Sequence, residues 1–360
     1  MPEETSTTPR YPLYTPEARQ FTTLTSNGNP FTPSEIGRAY SLINSAEGGE
    51  GVTVAVIGAY NNPTLENDFE AFGRTYMLPQ NALEVYYTGT QNNAYNSGWA
   101  RESAADTQWV YATAPSARIM CVFARDAQVE SLFEAVNYAI QLGADIISMS
   151  WGSPEFYGQT QYTQYMKNSG RIFIASAGDT GGAVLFPSSS DAVVSVGGTL
   201  LYRNPNGNTF ARSAWISGGG GPSRYTGIPE WQRKFEGIAE MSGGYRATPD
   251  IALDASPSPG YAVYNSADGG FISVGGTSVS APVFAGITAT LIQNNPDVLA
   301  NRTLPEYLYF LAGETRYNEP QYYFNDITVG SNGVYDALKG YDMSTGLGAP
   351  IARQIVQGML

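Results

Sequence analysis

Apolar runs alternate with amphipathic helical patterns along the first half of the chain. The runs predict strands at residues 51–60, 82–87, 118–124, 145–151 and 171–178. Between them, apolar residues three or four positions apart predict helices at residues 65–77, 100–114, 129–143 and 162–170. Strands that alternate with helices in this way predict an α/β fold, with a mostly parallel central sheet and helices on both faces.

The second half has a different character, with short strands, turns and Gly-rich segments. Residues 216–225, ISGGGGPSRY, have the composition of a flexible loop, and the Tyr- and Gly-rich tail is predicted to consist of turns. One long helix is predicted from Thr277 to about Asn294.

The first 33 residues are rich in Thr, Pro and Asn and predict an extended arm, after which Ser34 could cap a short helix. The rest shows no internal repeat and no linker-like change in composition. We therefore expect an N-terminal arm at residues 1–33 and a single domain at residues 34–360.

The charge balance excludes two classes of partner. The 19 Lys and Arg residues face 32 Asp and Glu, which gives a net charge of −13. Nucleic acids and anionic membranes are bound through clustered cationic side chains, so we expect neither as a partner. No apolar run reaches the ~18 residues of a membrane span, and the acidic start, MPEETSTTPRYP, does not resemble a secretory signal.

The chain contains no histidine and one cysteine, Cys121. These counts exclude a Ser-His-Asp hydrolase, a Cys-His protease, a His-ligated zinc site and an intrachain disulfide.

Ser278 is a candidate nucleophile, because it lies at the start of the long predicted helix in GGTSVSAP. Backbone amides at a helix N-terminus are free to donate to a nearby oxygen. A cap for the helix is the alternative role for Thr277 or Ser278.

Glu102 and Asp106 lie four positions apart and therefore share one face of the helix predicted at residues 100–114. On a solvated surface they would only repel each other. In a partly buried site two adjacent carboxyl groups share a proton, and one pKa rises. Asp179 follows a predicted strand within GDTG, where it could form a turn, or donate a hydrogen bond when protonated.

These three segments together resemble the sedolisins, the serine-carboxyl peptidases with a subtilisin-like fold, and the resemblance extends from about residue 31 to the end. It implies a Ser278–Glu102–Asp106 triad and an oxyanion site at Asp179. At pH ~3–4 a histidine base would be charged, whereas a carboxylate near its ordinary pKa of ~4.3 suits the task. The implied activity is acidic endopeptidase cleavage of polypeptides through an acyl-enzyme on Ser278.

The resemblance also implies one structural Ca²⁺ ion near the C-terminus. Asp326 and Asp342 would supply carboxylates, and Ile327, Leu338 and Gly340 would supply carbonyls. Ca²⁺ takes about 6–8 such oxygens.

Further expectations follow from the same resemblance. The chain is expected to be secreted into an acidic environment, to act as a monomer, and to lose an N-terminal pro-domain during maturation. Leu185 occupies a position at which some relatives carry an acidic residue, so an apolar or aromatic preference is expected in place of a basic one. A tripeptidyl exopeptidase and a non-catalytic binding or surface-layer relative remain as alternatives.

Overall fold

A computed structural model of the chain describes residues 22–23, 29–42, 47–89, 94–204, 210–313 and 322–357. Its helices are α1 Pro33–Ala39, α2 Leu65–Tyr76, α3 Ser97–Thr113, α4 Val129–Gln141, α5 Thr160–Asn168, α6 Glu230–Arg233, α7 Ile238–Met241, α8 Thr277–Asn294, α9 Leu304–Gly313 and α10 Ala352–Gln357. Its strands are β1 Thr22–Thr23, β2 Thr53–Ala59, β3 Leu83–Tyr87, β4 Arg118–Ala124, β5 Ile146–Met149, β6 Ser153–Pro154, β7 Ile172–Ser176, β8 Leu185–Phe186, β9 Val193–Arg203, β10 Phe210–Ala214, β11 Gly221–Gly227, β12 Tyr245–Thr248, β13 Ile251–Asp254, β14 Tyr261–Asn265, β15 Gly270–Val274, β16 Phe324–Asn325 and β17 Ala349–Pro350.

The central sheet has the strand order β3-β4-β2-β5-β7-β9, and all of these neighbours are parallel. β9 also pairs in parallel with β13 and antiparallel with β10. β2 is buried from its second residue onward, as a strand covered on both faces must be. The predicted α/β class and the mostly parallel sheet are confirmed.

Helices cover both faces of this sheet. On one face α3 and α8 pack together, and their buried side chains, such as Trp109 and Phe284, belong to the larger core. On the other face α4 packs against β2 and β4, and Phe133 joins a second core with Trp151. The two cores fix the positions of α3 and α8 relative to the strand ends between them.

The Gly-rich segment is a packed part of the structure, so the prediction of a flexible loop is wrong. Residues 218–221 are buried. A Cβ on Gly219 would collide with the carbonyl of Ala177, and one on Gly220 with that of Met343. Glycine is required there because two backbones approach more closely than a side chain allows.

The tail and the first helix also differ from the prediction. α9 and α10 lie in the segment that was predicted to consist of turns. Thr32, not Ser34, caps α1, in a reciprocal capping box with Glu35. Most of the predicted arm lies outside the described residues, and Thr22 and Thr23 add a short strand to β15.

Among the described residues, no helix combines the length and apolarity that crossing a bilayer requires.

Candidate active site

Three elements meet beyond the carboxyl ends of β5 and β7, the edge at which open parallel sheets form their sites. Ser150 follows β5, Asp179 follows β7, and the N-terminus of α8 brings Ser278 between them. α3 supplies Glu102 and Asp106 from the adjoining side. All four predicted catalytic side chains therefore lie in one site.

α3 is anchored at both ends of its buried face. Asn96 caps its N-terminus by accepting a hydrogen bond from the Trp99 amide at 3.1 Å. Farther along, the Gln108 side chain donates to the Tyr264 carbonyl at 2.8 Å and accepts from the Tyr264 amide at 2.9 Å. The Gln108 contacts fix α3 against β14.

Ser150 joins the carboxyl pair to the nucleophile segment. Its Oγ lies 2.7 Å from Asp106 Oδ1 and 2.9 Å from the carbonyl oxygen of Ser278. The Ser278 hydroxyl in turn makes a long contact, 3.5 Å, with the Ser150 carbonyl. Sequence reasoning did not single out Ser150, because it placed this residue inside the strand predicted at residues 145–151, whereas β5 ends at Met149.

Asp106 is buried and Glu102 is half-buried, and both carboxyl groups bind a proton more tightly than they would in water. Asp106 is 1% exposed, and Glu102 Oε1 is buried without a hydrogen-bond partner. Burial, followed by the charges of Asp106 and Asp179, raises the pKa of Glu102 well above its ordinary value, while a hydrogen bond with Ser278 opposes the rise. Burial likewise raises the pKa of Asp106, against the hydrogen bond from Ser150. Because the two groups are coupled, they share one proton, which leaves a carboxylate oxygen able to accept the proton of a serine hydroxyl.

Asp179 contacts the start of α8. Its Oδ1 accepts hydrogen bonds from the amide and the hydroxyl of Thr277, both at 2.8 Å. Its Oδ2 lies on the side of Gly276, where an added Cβ would come within 2.7 Å. Gly276 has φ +118°, a conformation that favours glycine.

A small cavity of about 10 Å³ opens beside Ser278 and Asp179. Its remaining walls are formed by Ser150, Trp151, Gly152, Ser176, Gly178, Leu185 and Thr277.

The residues predicted to bind Ca²⁺ also lie together. The Gly340 amide donates to Asp326 Oδ2 at 3.0 Å, and the Leu338 amide donates to Asp342 Oδ2 at 2.9 Å. Ile327 follows Asp326 directly and is buried. Across the described ranges, no group of three or more His, Cys, Asp or Glu side chains is placed to hold a metal.

The comparison with known families agrees with this arrangement, since residues 49–324 match the description of the Subtilase family. The chain belongs to the subtilase family. Kumamolisin from Bacillus sp. (strain MN-32) is 30% identical over 92% of this chain and 64% of its own length. Sedolisin from Pseudomonas sp. (strain 101) is 27% identical over 88% of this chain and 59% of its own length. The chain therefore spans about three-fifths of the length of these two subtilase relatives.

Among solved structures, Pseudomonas sedolisin complexed with two molecules of pseudo-iodotyrostatin superimposes with a TM-score of 0.79. The match covers 92% of this chain and 98% of that one at 24% identity, and it supports a common fold. The predicted resemblance to the sedolisins, and the single-domain subtilisin-like fold, are confirmed.

Proposed function

We propose that this chain is a serine-carboxyl endopeptidase that acts at acidic pH through an acyl-enzyme on Ser278. The observation that supports the proposal most strongly is the position of Ser278 beside the half-buried Glu102 and the buried Asp106, in a chain without histidine. The family membership is consistent with peptide hydrolysis, and the burial of the pair gives a physical reason for using carboxyl groups as base and acid.

In the first half-reaction, Ser278 Oγ attacks the scissile carbonyl carbon and its proton passes to Glu102. Breakdown of the tetrahedral intermediate releases the amine, which takes the proton back from Glu102. In the second half-reaction, water attacks the acyl carbon and gives a proton to Glu102. Glu102 passes that proton to Ser278 Oγ as the ester bond breaks, which releases the carboxylic acid product and regenerates the serine. Asp106, fixed by Ser150, is the positioning residue that couples to Glu102 and sets its proton affinity.

The oxyanion would be bound by the Ser278 backbone amide and the Asp179 carboxyl group. A carboxyl group donates a hydrogen bond only when it is protonated. Acidic pH favours the protonated form of Asp179, which is the form that can donate to the oxyanion. This supports placing the activity at low pH.

We also propose a structural Ca²⁺ site at the loop of residues 338–342. The chemistry of the donor set fits the ion, since two carboxylates and backbone carbonyls are hard oxygen ligands. Both carboxylates already accept hydrogen bonds from this loop: Asp342 accepts from the Leu338 amide, and Asp326 accepts from the Gly340 amide. Bound Ca²⁺ would cross-link Asp326 and Asp342 and so stabilise the turn-rich C-terminal segment.

The same proposal includes where the protein acts, its oligomeric state and its maturation. An acid-acting peptidase suits an acidic environment outside the cell, where the chain would act as a monomer after losing a pro-domain. The carboxyl pair supports the acidic setting, because its chemistry operates where histidine is charged.

Digestion of casein at pH ~3–4 tests the function, with Ser278→Ala as the inactive reference. We expect internal cleavage by the wild type, seen as a broad range of product lengths in mass spectra, and none by the variant. Release of tripeptides alone would favour the tripeptidyl exopeptidase. Equal digestion by the variant would contradict the role of Ser278, and no digestion by either would favour a binding protein.

A further inference from the structure

Asp179 lies in a loop of residues 178–183, GDTGGA, that follows β7. Half of its residues are glycine, and Gly178, Gly181 and Gly182 have φ values of +112°, +67° and +60°. Because glycine has no side chain to restrict its backbone, such a loop keeps one conformation only if contacts from outside hold it. The position of the Asp179 carboxyl group therefore depends on what the loop is bound to.

Residues 217–220, SGGG, supply those contacts and are called the glycine segment below. Four backbone hydrogen bonds join this segment to the Asp179 loop: Gly219 N to Gly178 O at 2.7 Å, Gly181 N to Ser217 O at 2.9 Å, Gly182 N to Gly218 O at 3.0 Å and Gly220 N to Ala183 O at 3.0 Å. One bond is formed before Asp179 and three are formed after it. The loop is therefore held on both sides of Asp179, by backbone groups that satisfy one another.

Gly219 is packed directly against the two residues that precede Asp179. A Cβ on Gly219 would collide with the carbonyl group of Ala177 and would lie 3.0 Å from the amide nitrogen of Gly178. A Cβ on Gly220 would collide with the Met343 carbonyl, so the segment is also packed against the C-terminal part of the chain. A side chain at position 219 can therefore be accommodated only if the peptide between Ala177 and Gly178 moves.

That peptide is also bound to the helix that carries the nucleophile. The Gly178 amide donates to Thr277 Oγ1 at 3.0 Å, and the amide and hydroxyl of Thr277 both donate to Asp179 Oδ1. A shift of the peptide would therefore change the position of the Asp179 carboxyl group relative to the start of α8, where Ser278 lies.

We infer that the glycine segment is a positioning element of the active site, which holds the Asp179 carboxyl group where it can bind the oxyanion. The inference rests on the proposed function and deepens it, because it names the part of the chain that sets the oxyanion geometry. The positioning is done by backbone groups, so the test introduces a side chain at the closest approach, Gly219.

The test measures kcat and KM for peptide cleavage at pH ~4 in Gly219→Ala, Asp179→Ala and the double variant. A displacement of about 1 Å can cost about 10² in rate, so we expect kcat of Gly219→Ala to fall by about that factor, with KM changed less. In the double variant we expect no loss beyond that of Asp179→Ala, because the group that Gly219 positions is already absent. Gly227→Ala, in β11, is the matched control and should keep the wild-type kcat, since no described atom beyond its chain neighbours lies within 4 Å of the added Cβ.

Wild-type kcat in a folded Gly219→Ala would overturn the inference. A double variant that loses the Gly219→Ala factor a second time would also overturn it, because a merely structural defect lowers kcat equally in both backgrounds.

If Gly219→Ala does not fold, hydrogen exchange of the wild type decides. The amides of Gly181, Gly182 and Gly220 should exchange as slowly as those of β7, and exchange at the rate of an exposed loop would overturn the inference. A wild type that cleaves no peptide would instead contradict the proposed function, and the exchange rates would still test the glycine segment.

Discussion

The two carboxylate oxygens of Asp179 face different parts of the α8 N-terminus. Oδ1 is engaged by the amide and hydroxyl of Thr277 and so fixes the start of α8. Oδ2 is on the side of Gly276, toward the nucleophile segment. One oxygen of Asp179 therefore anchors the start of α8, while the other faces the nucleophile segment.

This division predicts different results for two substitutions at Asp179. Asn keeps an oxygen for Thr277 and donates at every pH, so Asp179→Asn should retain activity and move the high-pH limb of the kcat profile upward. Ala removes both groups, so Asp179→Ala should lose roughly 10²–10³ in kcat. The measurement is kcat against pH for the three proteins. An Ala variant with unchanged kcat would show that Asp179 does not hold the oxyanion.

At the scale of elements, the helices and strands of the first half could be predicted, whereas their contacts could not. The pattern at residues 118–124 gave β4 with the same bounds. The buried Gly-rich segment was mistaken for a loose loop, because glycine composition does not distinguish flexibility from close backbone packing. The catalytic side chains were found by motif, but the contacts of Ser150 with Asp106 and Ser278 join residues far apart in sequence and could not be predicted.

The proposed Ca²⁺ site at the loop of residues 338–342 predicts that the ion stabilises the folded protein. At pH ~7, above the pKa of about 6 to which burial raises Asp342, a chelator should lower the melting temperature, because an ion that binds only the folded state stabilises it. Thermal unfolding with and without chelator, together with elemental analysis, measures this. Asp326→Asn should lower the melting temperature and remove the response to chelator. Asp336→Asn, an exposed change in the same segment, should keep the response.

A wild-type melting temperature that ignores the chelator, with no metal found by elemental analysis, would contradict the Ca²⁺ site. It would leave the proposal for Ser278 untouched, because the two sites share no residue.

At the scale of the whole molecule, buried carboxyl groups make stability depend on pH. Glu102, Asp106 and Asp254 all have raised pKa values, and burial is the largest cause for each. The folded state keeps these protons after the unfolded state has released them. The stabilisation contributed by these three groups should therefore be fully present in acid and fall as the pH rises above about 4.

The pH dependence of the free energy of unfolding can be measured at Asp254, which is not one of the proposed catalytic groups. Burial raises its pKa from 3.8 to about 8, against the opposing charges of Arg212 and Arg203. Its Oδ2 is buried without a hydrogen-bond partner. Asp254→Asn removes the ionisation, so it should raise the free energy of unfolding at pH 7 by up to about 4 kcal/mol. At pH 3 the gain should vanish, because the carboxyl group is protonated in both states.

Urea unfolding of wild type and Asp254→Asn at pH 3, 5 and 7, at one fixed Ca²⁺ concentration, measures the difference. The gain should grow with pH across the window from 3.8 to about 8. A difference that is constant with pH would mean that Asp254 titrates at its ordinary value in the folded protein.

The most direct test of the whole proposal is kcat/KM of Glu102→Gln at pH ~4, measured on a peptide that the wild type cleaves. Gln fills the same space and cannot accept the Ser278 proton, so we expect a loss of at least about 10²–10⁴. Glu134→Gln, an exposed change on α4, serves as the control and should keep wild-type activity. Near wild-type kcat/KM in a folded Glu102→Gln would contradict a carboxylate base at this site.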